Sequence, residues 1–252
     1  MADSLKERVA KLGLYGILSR WEQFAQAPWL EEFLTLEEEE RARRSLARRI
    51  KSSRIGHFKP LSDFDWDWPE RIDRDAFDQA MTMEFIEEGG NLVFLGPTGV
   101  GKTTLAQNLA HKALLAGYTV LKVSASEMLR DLASRDSASA LTRRIRKYVS
   151  PALLLVDEIG FLSYEPSFGD LFFEVVSQRH ETKSMVITTN RPFGEWNQIF
   201  PNSTCVGAIV DRLVHKALIV QIEGKSYRLK EAQERNRRKA KGRKKKGGKG
   251  RK

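Results

Sequence analysis

The sequence predicts an α/β protein: a five-stranded parallel sheet with flanking helices, a small all-α module before it and a basic tail after it. Three observations predict this. Largely apolar runs recur at 91–95, 118–123, 153–156, 185–189 and 217–220, with helix-length stretches between most of them, as in a sheet covered on both faces. Residues 1–60 follow helical rather than alternating spacing. The stretch 235–252 carries 12 Lys/Arg and no acid. The expected divisions are 1–62, 63–230 and 231–252.

In the first module, Leu5, Val9, Leu12 and Tyr15 recur at helical spacing, and Trp21, Phe24, Trp29, Phe33 and Leu34 supply a second apolar set. Thr35 and Glu38 read as a capping box opening a helix whose first turn, Glu37–Glu40, is acidic. Seven cations and no acid follow in 41–54: Arg41, Arg43, Arg44, Arg48, Arg49, Lys51 and Arg54. Ala42, Leu46 and Ile50 keep one face apolar, so the cations line the rest. This reads as a surface for the DNA backbone, with phosphate contact and no base readout, or as a solvated face balanced by the preceding glutamates. Asp63–Pro69, rich in Asp and aromatics, reads as the linker to the next module.

The first strand, Asn91–Leu95, runs into Gly96, Pro97, Thr98, Gly99, Val100, Gly101, Lys102, Thr103 and Thr104, and these into a helical run from Leu105. A strand, then Gly-x4-Gly-Lys-Thr, then a helix is the P-loop in its required context. Glycines let backbone N–H groups curl around phosphate oxygens, and the new helix turns its positive end to them. Lys102 supplies charge to the β- and γ-phosphates, and the Thr103 hydroxyl is a ligand for Mg2+. The implied ligand is ATP or GTP.

Tyr118–Val123 alternates as a second strand, and Ser124 with Glu127 caps the helix after it. Leu153–Val156 is a third strand, ending in Asp157 and Glu158. Asp157 is the expected metal carboxylate, and Glu158 the general base that polarises the attacking water. The fourth strand, Met185–Thr189, ends at Asn190, at the carboxyl edge where such sheets bind ligands. Asp211, Arg212 and Leu213 precede the fifth strand, Ala217–Val220.

Composition narrows the class. Hydrophobic residues make up 41% of 252, enough for a core. No apolar run approaches the length of a membrane span, and the N-terminus has no signal-peptide core. Cys205 is the single cysteine, which excludes a disulfide framework, and the four histidines lack metal-ligand spacing. The expectation is a soluble cytoplasmic protein, nucleoid-associated when on DNA, whose metal is the nucleotide's Mg2+. The net charge of +10 resides in the tail, without which the chain stands at −2. A segment of Lys, Arg and Gly cannot bury enough surface to fold and is attracted to polyanions.

A strand between the P-loop strand and the Asp157 strand, with Glu158 beside the Asp, resembles the additional-strand NTPases and within them the AAA+ proteins. By that resemblance Asn190 stands as the sensor-1 residue. Arg212 stands as an arginine finger reaching a neighbouring subunit's γ-phosphate, with Arg179 and Arg191 as weaker alternatives. Phe64 or Trp66 stands near the adenine. The series Phe94–Lys102, Leu155–Gly160, Phe172–Arg179, Thr188–Asn190, Glu195-Trp196, Asp211–His215 and Gly224–Arg228 is similar to the IstB-like ATPases, transposition helpers of insertion sequences and relatives of DnaC-type helicase loaders. The resemblance implies an AAA+ ATPase that binds ATP with Mg2+ and hydrolyses it. It further implies a homo-oligomer on double-stranded DNA that helps a cognate transposase choose its target, no membrane association, and an alternative role as loader of a replicative helicase. Thr104 stands where such proteins often carry His. The tail is additional to the shared core, and Arg228 is the candidate for a sensor-2 arginine.

Overall fold

The computed structural model describes residues 2–160, 164–201 and 204–236. It divides into two compact units, 1–51 and 52–252, so that 52–62 groups with the second. Side-chain bonds account for that grouping: Gln107 Nε2 donates to Ile55 O at 2.7 Å, and Asn108 Nδ2 donates to Lys59 O at 2.9 Å.

The first unit is built of the helices Ala2–Lys11, Tyr15–Leu18 and Trp21–Phe24 and most of the long helix Leu30–Ser53. Val9 and Leu12 bury against Leu30 and Leu34, as their spacing requires. Thr35 does not open a helix; it lies inside Leu30–Ser53. Its hydroxyl donates back to Glu31 O at 2.9 Å, and Glu38 is taken instead by the Arg8 guanidinium, at 3.0 and 2.8 Å. A long-range pair thus replaces the expected local box.

Among the described residues the second unit holds six strands: β1 (Arg71–Ile72), β2 (Asn91–Leu95), β3 (Val120–Ser124), β4 (Leu153–Ile159), β5 (Ser184–Thr189) and β6 (Ala217–Glu223), in the order β1-β6-β2-β5-β4-β3. The five expected strands are β2–β6, all parallel. The two-residue β1, antiparallel to β6, is an addition too short to carry a sequence pattern.

Side chains alternate across a strand, and this sorts the sheet into two faces. Val93, Leu121, Val123, Leu154, Val156, Met185 and Ile187 join the core beneath the helices Ala125–Ala133, Ala138–Val149, Pro166–Arg179 and Val206–Val214. Leu92, Phe94, Leu153, Leu155 and Val186 are equally buried on the other face, on the side of the helix Lys102–Leu115. Residues 231–236, assigned by the sequence to the unfolded tail, belong to a helix over 227–236, and 237–252 lies outside the described residues. Among the described residues no helix is long and apolar enough to cross a membrane.

Arg179 closes the amino-terminal edge of β4 and β5. It is 1% exposed. Nη1 donates to the carbonyls of Tyr148, Val149 and Pro151 at 2.9, 3.1 and 2.9 Å, and Nη2 to those of Ala152 and Ser184. A cation at the carboxyl end of Ala138–Val149 also suits that helix's dipole. Arg179 is therefore structural and unavailable as an arginine finger. Arg179→Met strands these carbonyls, and the expected loss is about 3 kcal/mol or more. Urea unfolding of the variant checks this; a midpoint equal to wild type would show that the carbonyls find other partners.

Candidate functional site

The loop between β2 and the helix Lys102–Leu115 takes its shape from glycine. Gly99 and Gly101 have φ of 85° and 105°, a region that side chains rarely allow. A Cβ at Gly99 would fall 2.2 Å from Ser226 Oγ, and one at Gly101 would fall 2.5 Å from the Phe64 ring. Gly101 is the N-cap, and its carbonyl accepts the first helical bond, from Leu105. The N–H groups of the helix's first turn have no intrahelical acceptor, which makes an anion seat.

Lys102 is buried, and its ammonium curls onto its own loop, 2.6 Å from Gly96 O and 2.7 Å from Pro97 O. Burial pushes its pKa down to about 8, helped by the Arg228 cation and opposed by Asp157 and Glu158.

Asp157 is 6% exposed. Its Oδ1 accepts from Thr103 Oγ1 at 2.9 Å and from Thr188 Oγ1 at 2.5 Å, and its Oδ2 lies 3.6 Å from Lys122 Nζ. All four side chains lie on the P-loop side of the sheet, because Lys122, Asp157 and Thr188 share strand parity with Leu155 and Val186. A hydroxyl and a carboxylate meeting at one point are hard oxygen donors of the kind Mg2+ takes beside phosphate.

After Asp157 the β4–β5 register shifts between Val156 and Ile159. Glu158 sits in that irregularity with φ of 65°, its N–H donating to Thr188 Oγ1 at 2.9 Å. A left-handed backbone at a non-glycine residue costs on the order of 1–3 kcal/mol. Here it turns Glu158 out of the sheet and into the cleft.

That cleft, about 300 Å3, is lined by Thr98–Thr104, Glu158 and Thr188 at its phosphate end. The segment His57–Lys59, Phe64 and Trp68 form a second wall, and Tyr227, Arg228 and Glu231 a third. Trp66 is not in the lining; it packs between Phe64 and Phe77, ring centroids 4.8 and 5.6 Å away, beneath Arg74. The structure thus brings Gly96–Thr104, Asp157 and Glu158 together. Arg228 joins them.

Asn190 and Arg212 lie outside the lining. Asn190 Oδ1 is buried, has no hydrogen-bond partner among the described residues, and approaches Gly160 at the end of β4. Arg212, on Val206–Val214, lies over the Phe173 ring at 4.9 Å and donates to Ala208 O. Arg191 is tied to Glu195 at 3.0 Å.

Of the expected DNA-facing cations, Arg44, Arg48 and Lys51 are exposed; Arg43 is exposed but paired with Glu40 at 2.8 Å. Arg49 is half-buried and donates to Ser45, and Arg54 pairs with Glu127 at 3.0 Å. Sequence reasoning missed Thr188, Lys122 and the wall at 57–59. The Thr-Thr-Asn at the end of β5 was the available signal for the first, and the charged residue inside an apolar strand for the second. It also missed further exposed cations on Ala125–Ala133 and Ala138–Val149, Arg130, Arg143 and Arg146, with Arg135 between the two helices paired to Asp131 at 3.4 Å.

A sequence model of the family described as IstB-like ATP binding protein matches residues 9–235. The chain is 31% identical over 240 residues to the ATP-binding protein of insertion sequence IS5376 from Geobacillus stearothermophilus, covering 92% of this chain and 96% of that one. It is 35% identical over 191 residues to the ATP-binding protein of insertion sequence IS21 from Pseudomonas aeruginosa, covering 76% and 72%. Among solved structures, DnaI superimposes with a TM-score of 0.53 at 21% identity, over 66% of this chain and 89% of that one. AMPPCP-bound DnaA from Aquifex aeolicus superimposes with a TM-score of 0.54 at 22% identity, over 73% and 56%. At such identities the two structures speak for the fold alone.

The depressed Lys102 pKa carries a pH signature. Between about 8 and the ordinary value of 10.5 the unfolded chain holds the proton and the folded one does not, so stability rises with pH across that window and falls as pH drops through 8. Lys102→Met lacks this contribution. The expected outcome is that wild type gains on the variant from pH 8 to 10.5, read by denaturant unfolding of nucleotide-free protein. A constant difference across the window would mean an ordinary, solvated ammonium.

Proposed function

Because this chain belongs to the family of IstB-like ATP-binding proteins, we propose that it is an ATP-hydrolysing switch that assembles on duplex DNA and assists the transposase of its insertion sequence in engaging target DNA. The observation that carries the reading is that Lys102, Thr103 and Glu158 line one cleft, with the Asp157 carboxylate directly beneath it, bonded to Thr103.

In this reading Lys102 exchanges the carbonyls of Gly96 and Pro97 for the β- and γ-phosphates, and the loop's N–H groups hold the same oxygens. Thr103 and Asp157 hold Mg2+, whose charge, when bound, offsets that of the phosphates. Glu158 takes up the proton of the attacking water. The orienting of that water is assigned to Asn190, at the carboxyl end of β5 beside Gly160, by the likeness to AAA+ proteins rather than by a place in the cleft lining. Phe64 and the 57–59 wall receive the base. Arg212, outside its own chain's cleft, completes a neighbour's site, so the working form is an oligomer. DNA contact falls to the cations at 43–54, to Arg143 and Arg146, and to the basic tail. Phosphate contacts alone give binding that weakens steeply with salt.

Two experiments test this. Duplex binding is measured by anisotropy with ATP, ADP or no nucleotide, with particle size followed by light scattering. ATP-dependent assembly on duplex is the expected result; single-strand preference that ignores nucleotide would replace the reading with helicase loading. In the second, Glu158→Gln retains ATP binding and loses turnover by about 100-fold or more, the range of a general base. Unchanged turnover would move the base elsewhere.

A further inference from the structure

Lys122 is the one charged residue in the run Val120–Ser124. β3 is an edge strand, where lysines ordinarily face water and block pairing with other chains. This one does not. Strand parity turns it to the side of the P-loop helix, in register with Leu155 of β4, and its side chain is only 21% exposed. A partly buried ammonium gains from a partner, and its partner is Asp157.

The two oxygens of Asp157 are used differently. Oδ1 takes both threonine hydroxyls, and Oδ2 is left facing Lys122 at 3.6 Å. Oδ2 is therefore the oxygen with capacity for a metal, and a cation already stands beside it. A divalent ion taken up at Oδ2 would stand beside a like charge, the Lys122 ammonium 3.6 Å from that oxygen. Lys102 and Arg228 make the cleft more positive still. A bare divalent cation gains the carboxylates of Asp157 and Glu158 there and faces three positive groups, a net repulsion. A cation carried by a triphosphate arrives with a net negative charge, and the same groups then attract it.

We propose that Lys122 is a built-in competitor of the divalent cation at Asp157, so that the site refuses free metal and accepts it only together with the nucleotide's phosphates. The proposal rests on the nucleotide-site reading above. It gives Lys122 a positioning role: it neutralises the buried carboxylate until the metal–nucleotide arrives, then yields Oδ2.

The test uses the full chain and Mn2+ as probe, with free Mn2+ read by electron paramagnetic resonance and no nucleotide present. Lys122→Met is expected to bind Mn2+ about tenfold tighter than wild type or better, the scale on which groups beside a ligand tune metal affinity. Lys122→Arg, which keeps the charge, stays near wild type, and adding Asp157→Asn to Lys122→Met removes the gain. Equal Mn2+ affinity in wild type and Lys122→Met, or a gain that survives Asp157→Asn, overturns the proposal. Lys122→Gln serves the same comparison if the Met variant does not fold, as judged by circular dichroism. A parallel titration with Mn2+ plus a non-hydrolysable ATP analogue separates the two readings. Its failure in wild type would remove the nucleotide site, whereas the Mn2+-alone comparison still decides the role of Lys122.

Discussion

One carboxylate oxygen organises this structure. Asp157 Oδ1 accepts from Thr103 at the start of the P-loop helix and from Thr188 near the end of β5. The strand order makes this possible. β5 lies between β2 and β4, so a hydroxyl on β5 bridges the P-loop strand and the Asp157 strand, and Thr188 pairs in register with Phe94 of β2. Thr188 then accepts the Glu158 N–H. The same hydroxyl therefore fixes the carboxylate and holds the next residue in its left-handed turn. Buried polar networks of this kind are worth having only when every member is satisfied. Here each hydrogen bond also aims a group at the cleft.

The remaining walls are held more loosely. The 57–69 segment and the 227–236 helix meet over the P-loop: Trp68 Nε1 donates to Lys225 O at 2.9 Å, Tyr227 N–H donates to Gly99 O at 2.9 Å, and Lys230 pairs with Asp65 at 2.9 Å. Lys59 pairs with Glu231. Partly exposed ion pairs contribute about 0–1 kcal/mol each. The P-loop end is thus rigid by buried hydrogen bonds, while the far end is closed by contacts that open at little cost. Such a division would suit the nucleotide proposed above, its phosphates placed closely and its base free to enter and leave.

What the sequence disclosed and what it hid follow from distance along the chain. Gly96–Thr104, the β4 terminus at Asp157-Glu158 and the Ser124 cap are local, and each carries its own geometry in consecutive residues. Ser124 Oγ does accept the Glu127 N–H, at 3.2 Å. Thr35 and Glu38 have the same spacing, yet Arg8, 30 residues from Glu38, claims the carboxylate. No local rule sees that competitor. Arg179 ends a helix as any surface arginine could, and its carbonyl partners become visible only when β4 and β5 lie side by side. The register irregularity at Glu158 is a relation between two strands, so the acidic pair announced the residue without its turn. Thr188 and Lys122 were hidden for the same reason: their meaning lies on the neighbouring strand.

Charge explains why these separate pieces form one site. Around the phosphate end stand the cations Lys102, Lys122 and Arg228 and the anions Asp157 and Glu158, a small positive excess in a partly dry cleft. Burial already weakens the hold of Lys102 on its proton, so this excess is a cost of folding without an anion. A polyphosphate converts each of these costs into an attraction, because the same desolvated groups interact more strongly there than in water. The part-buried Lys122, the curled P-loop ammonium and Arg228 then share one consequence: cations held close together in a partly dry cleft are costly by themselves, and a dense negative charge set among them offsets that cost.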